Sequence, residues 1–157
     1  MQLNKKPWPL ITIFGIRDRI NTNPDYQRPP VWSIGQKRLL IDTILRGYDI
    51  PKMYWRKVGS NPDKYEVVDG QQRLRAIWEF MNGEFDLGKD ADSIDNFELK
   101  NLKYIDPNPS LTITDEMRRE LEVYCLDIII LTDTDDEEVR EMFLRLQNGT
   151  TLKAQEK

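Results

Sequence analysis

The sequence predicts an α+β fold, a small mixed sheet flanked by helices, on three observations. Segments with helical spacing are interleaved with short β-rich runs rather than alternating regularly with them. Two of those runs, residues 53–58 and 65–68, are joined by Asn61-Pro62-Asp63, a turn that makes them a hairpin. The second run then passes through Gly70 straight into an amphipathic stretch, a strand-to-helix junction without a linker. The chain has 157 residues, enough for one domain with a real core and short for two. A single domain over residues 1–157 is expected, with its core at about 10–152. The end of the chain reads as cut inside a helix, so a piece of a longer protein is expected.

Each element follows from local signals. Thr12 is placed to cap a short helix in which Ile13, Ile16 and Ile20 share a face. Residues 21–30 are turn-rich, and Pro29-Pro30 forbids helix there. Ser33 caps a helix to about Arg46, with Leu40, Ile41, Ile44 and Leu45 inward and Gly47 ending it. After the hairpin, residues 71–81 place Leu74, Ile77, Trp78 and Met81 at helical spacing, and Asn82-Gly83 stops the helix. Residues 84–110 are irregular, with weak strand character at 97–104. Residues 114–122 read as helix and 123–131 as the strongest strand, which holds Cys125 as a small core residue. Thr134-Asp135-Asp136-Glu137 reads as a capping box for a helix to about Leu146, and Asn148-Gly149-Thr150-Thr151 as its break.

Composition narrows the function. There is no histidine, which removes histidine-ligated zinc, His-dependent triads and histidine-metal nuclease chemistry from this chain. One cysteine permits no internal disulfide, which fits a reducing cytoplasm. No apolar run approaches the roughly 20 residues of a membrane helix, and the first residues show no signal-peptide core. The net charge of -4 argues against simple coating of DNA, yet it hides an asymmetry. Residues 28–75 carry ten Lys/Arg against five Asp/Glu, while 79–141 carry nineteen acidic residues against six basic ones. The basic half offers a local positive field to a nucleotide or a nucleic-acid backbone.

The candidate site lies in that half. In Val68-Asp69-Gly70-Gln71-Gln72-Arg73 a helix start, with its unpaired N–H groups and positive dipole end, meets an arginine whose planar fork suits phosphate oxygens. The plainer alternative is a tight turn in which Asp69 caps the helix and Arg73 makes a surface ion pair. Two more polar clusters sit at loops or element ends: Tyr26-Gln27-Arg28, and Arg145 to Gly149 with Asn148. If the fold gathers Arg28, Arg73 and Arg145, they make an anion pocket, with Gln71, Gln72 and Asn148 as amide contacts. Taken singly, Arg28 and Arg145 are better explained by pairing with acidic surface groups. Tyr26 and Trp32 are candidates for stacking on a base or for packing in the core, whereas Met53, Tyr54 and Trp55 read as packing.

These motifs, together with Leu40 to Leu45, Ile50-Pro51 and Phe143 to Gly149, occur in an order that resembles the N-terminal domain of the GmrSD-type restriction endonuclease family, a branch of the ParB/sulfiredoxin-like nuclease superfamily. The resemblance spans about residues 10–156 and centres on the Asp-Gly-Gln-Gln-Arg signature at 69–73. It implies a ParB/sulfiredoxin-like fold and a part in bacterial defence against phage and other foreign DNA. It further implies a domain that binds and hydrolyses nucleoside triphosphates with Mg²⁺ and works with a separate C-terminal HNH-like nuclease domain or subunit. On that reading Asp69, Gln71, Gln72 and Arg73 are catalytic, and Asp69 holds Mg²⁺ or orients water. Tyr26, Gln27, Arg28, Gly70, Arg145 and Asn148 bind the nucleotide and its phosphates. Sulfiredoxins place a cysteine where this chain has Gln71, so redox chemistry of that type is not expected. A non-catalytic DNA-recognition module and a direct ParB-like nuclease are the alternatives.

Overall fold

The computed structural model of the chain describes residues 1–23 and 31–155, with the backbone alone for 149–155. Five strands and five helices follow in the order β1 (Gln2–Pro9), α1 (Leu10–Gly15), β2 (Ile20–Asn21), α2 (Ile34–Leu45), β3 (Met53–Gly59), β4 (Lys64–Asp69), α3 (Gln71–Met81), α4 (Asp115–Val123), β5 (Cys125–Thr132) and α5 (Asp136–Gln155). The strands form one mixed sheet in the order β1-β5-β3-β4-β2. β1 runs antiparallel to β5, and β3 antiparallel to β4. The β3–β5 and β2–β4 pairs are parallel. The class is therefore α+β, as the interleaving of elements predicts.

Alternation along the strands sorts the core into two layers. Met53, Trp55, Tyr65, Val67, Leu126, Ile128 and Ile130 face α1 to α4, where they meet Ile13, Ile41, Leu74, Phe80 and Leu121 in the main core. Val68, Ile129 and Leu131 face the other way and meet Val139, Met142 and Phe143 of α5. β5 is covered on both faces along its second half, which is why residues 128–131 form an unbroken buried run. Each fully buried aliphatic or aromatic side chain contributes roughly 1.5–3 kcal/mol.

Caps set the helix ends. Ser33 accepts from the Gln36 N–H (3.2 Å), and Gln36 Oε1 accepts from the Ser33 N–H (2.8 Å), a complete capping box for α2. Thr114 caps α4 through the Met117 N–H (3.1 Å). Lys37 of α2 pairs with Glu79 of α3 at 2.7 Å, fixing the two helices beside each other. Arg56 of β3 pairs with Asp136 and donates to the Thr134 carbonyl (3.2 Å), which holds the start of α5 on the sheet.

Five expectations are corrected. The first residues form β1, an edge strand that the sequence hides because Lys5, Lys6, Pro7 and Pro9 give it no apolar alternation. α1 starts earlier than expected, with Pro9 rather than Thr12 at its N-cap, and Ile20 belongs to β2. Cys125 is exposed at the mouth of β5, so it is no core residue. The cap of α5 is Asp135, whose carboxylate accepts from the Glu138 N–H (2.8 Å), while Thr134 bonds to the Glu138 side chain. That helix runs through residues 148–151 to Gln155, where Asn148 and Gly149 cost only about 1 kcal/mol each in backbone propensity.

Candidate functional site

β4 hands the chain to α3 at Gly70, whose φ of +108° only glycine adopts without strain. The direction a side chain would take there is filled: a Cβ on Gly70 would lie 2.6 Å from Met53 Cγ and 3.0 Å from its Sδ. Met53 is fully buried, so the close approach that Gly70 permits is to the core of β3. Packing against Met53 therefore requires a glycine here whether or not a ligand approaches.

The plain alternative for Asp69 is also corrected. Gly70 is the N-cap of α3 and no side chain caps it. Asp69 instead faces Arg73, with Oδ2 3.4 Å from Nη2, one turn along. Arg73 is not a free surface cation. Its guanidinium donates to the Pro51 carbonyl and, at 3.5 Å, to that of Lys52, stapling the entry of β3 to the first turn of α3. Burial pushes the Asp69 carboxyl above its usual range, with Arg73 opposing the shift. Burial likewise lowers Arg73, with Asp69 opposing. For both groups desolvation outweighs a rather long ion pair.

Gln71 and Gln72 complete the turn, and both are buried. Gln71 Nε2 reaches back to the Val68 carbonyl at 3.4 Å. Gln72 Oε1 accepts from the Trp32 N–H at 3.2 Å, while its Nε2 has no hydrogen-bond partner among the described residues. One turn on, Arg75 donates to the Thr22 hydroxyl (3.2 Å) and carbonyl (3.0 Å). Thr22 and Trp32 are thus both fastened to α3. Tyr26, Gln27 and Arg28, named from the sequence as nucleotide-binding, lie outside the described residues. Trp32 packs against the main core. Met53 and Trp55 are fully buried, and Tyr54 packs on the α5 side, in line with their reading as packing residues.

Arg145 and Asn148 are exposed on α5. Arg145 is 80% exposed and pairs with Glu141 at 2.9 Å, beside Met1, Met142 and Leu146. No hydrogen bond or ion pair joins either residue to the start of α3 among the described residues. Asp69, Gln71, Gln72 and Arg73 are therefore assembled in one turn, while Arg145 is paired within α5. Sequence reasoning missed Arg75, Thr22 and the Pro51 and Lys52 carbonyls, all of which bind across 21 or more residues. No local signal marks such pairs.

Among the described residues no group of three or more His, Cys, Asp or Glu is close enough to hold a metal ion alone. A single carboxylate is nevertheless what a Mg²⁺ ion needs when phosphate oxygens supply further ligands, so Asp69 suits a nucleotide-borne cation. No described helix is long and apolar enough to cross a membrane.

The architecture defines a mixed-sheet α+β domain whose conspicuous polar site is an uncapped, arginine-bearing helix start behind a hairpin strand. Within that class the chain belongs to the family described as GmrSD restriction endonuclease, N-terminal domain, whose profile matches residues 11–157. It is accordingly a domain of a DNA restriction system. No curated protein and no solved structure matches the chain.

Proposed function

We propose that this domain binds a nucleoside triphosphate at the start of α3 and hydrolyses it to regulate an HNH-like nuclease domain or subunit of its restriction system. One observation carries the reading: the first turn of α3 has no side-chain cap and holds Arg73, in a chain whose family is that of a restriction endonuclease. Anions are favoured at such a turn by its dipole and its N–H groups.

In this reading Gly70 to Arg73 cradle the phosphates, with Arg73 as the charge donor and Arg28 as a second. Tyr26, Gln27 and Asn148 are assigned to the nucleotide, and Arg145 to a supporting contact made when nucleotide is bound. Asp69 holds a Mg²⁺ that the nucleotide brings, and the cation supplies charge neutralisation there. Gln71 or Gln72 orients the attacking water. Water adds to the terminal phosphorus as the bond to the bridging oxygen breaks, giving the diphosphate and inorganic phosphate.

Calorimetric titration with nucleoside triphosphates and MgCl₂ tests this. The wild type is expected to bind saturably and Arg73→Ala at least about tenfold more weakly, a loss of roughly 1.4 kcal/mol. Absence of binding by a folded wild type rules the reading out.

A further inference from the structure

The first turn of α3 already holds an anion, its own Asp69. The carboxylate sits one turn before Arg73 and reaches it at 3.4 Å, longer than the roughly 2.7–2.9 Å of a well-formed charged pair. Burial works against both charges and the pair does not fully offset it. The rest of the guanidinium is spent on the Pro51 and Lys52 carbonyls. In the same turn Gln72 is 9% exposed, and the Trp32 N–H fixes its amide with the oxygen toward Trp32. That orientation leaves Nε2 a buried donor with no acceptor among the described residues. The helix start itself carries no side-chain cap.

We infer that Asp69 is a placeholder for the ligand anion, occupying Arg73 until phosphate displaces it, and that this exchange makes binding depend on a divalent cation. The inference rests on the site reading above and adds its regulation. Once Arg73 turns to a phosphate, the Asp69 carboxylate is left beside a second anion and loses its only ion-pair partner among the described residues. Two neighbouring negative charges repel, and a divalent cation between them removes that repulsion. Without the cation the carboxylate keeps the arginine and the site stays shut.

The test uses inorganic triphosphate, which has no base, titrated into the wild type and Asp69→Asn in EDTA and in MgCl₂. Calorimetry is the readout, with the shift of the thermal midpoint as a second measure. Asp69→Ser is run beside Asn so that the result does not depend on one variant folding. Glu66→Gln, which removes a nearby charge that does not touch Arg73, controls for net charge. The wild type is expected to bind at least tenfold more tightly with Mg²⁺ than with EDTA. Asp69→Asn in EDTA is expected to gain at least tenfold over the wild type in EDTA, with a Mg²⁺ effect below threefold, while Glu66→Gln follows the wild type. If the wild type binds with Mg²⁺ but neither Asp69 variant gains in EDTA, the placeholder falls and the site stands. An equal gain for Glu66→Gln also overturns it. No binding by any protein in either condition removes the site and the placeholder together.

Discussion

Gly70→Ala tests whether packing against Met53 requires a glycine at the start of α3. The substitution adds one carbon at φ +108°, in a direction where Met53 Cγ lies at 2.6 Å, its Sδ at 3.0 Å and its Cβ at 3.2 Å. The left-handed backbone costs an L-residue roughly 1–2 kcal/mol. Overpacking against a fully buried side chain adds about 1–3 kcal/mol. The total, roughly 2–5 kcal/mol, corresponds to a fall in thermal midpoint of about 4–20 °C for a domain of this size. Urea unfolding followed by tryptophan fluorescence measures it. A double-mutant cycle with Met53→Ala isolates the clash, because truncating Met53 removes the contact but leaves the backbone strain. The coupling is expected at about 1–3 kcal/mol, with the second substitution less costly in the Gly70→Ala background. Additivity of the two substitutions, or a Gly70→Ala protein within about 0.5 kcal/mol of the wild type, would refute the packing argument.

Two further outcomes follow from capping and from buried phenols. Ser33→Ala removes one half of the α2 capping box and is expected to cost about 1 kcal/mol, seen as a loss of roughly 2–4 °C in calorimetry. Tyr104 donates to Glu122 at 2.6 Å, and burial, then that bond, raises its pKa. Tyr65 and Tyr124 are raised too, each chiefly by burial. The folded state then keeps protons that the unfolded chain has lost, so stability falls as pH rises above about 10. Urea midpoints between about pH 9 and 11 are expected to drop less steeply for Tyr104→Phe.

What the sequence discloses is what short-range chemistry decides. α2 and α3 are legible because the Ser33 cap of α2 and the periodicity and stops of both helices lie within the segments themselves, from Ser33 to Gly47 and from Gly70 to Gly83. The β3–β4 hairpin is legible for the same reason. β1 is not, since an edge strand with lysines and prolines is defined only by its partner β5. The exposure of Cys125 and the continuation of α5 past Gly149 likewise depend on tertiary surroundings. The site divides in the same way. Asp69 to Arg73 stand out as one turn, and their pairing is an i,i+4 relation. That Arg73 is committed to the entry of β3, and that Met53 dictates Gly70, are long-range facts.

The central claim is that a triphosphate seats on the first turn of α3. Backbone amide spectra recorded while Mg²⁺ and a nucleoside triphosphate are added test it most directly. The account predicts that Gly70, Gln71, Gln72, Arg73 and Leu74 shift first and saturate together. Shifts confined to the outer face of α5 around Arg145, with those five amides unmoved at saturation, would contradict it.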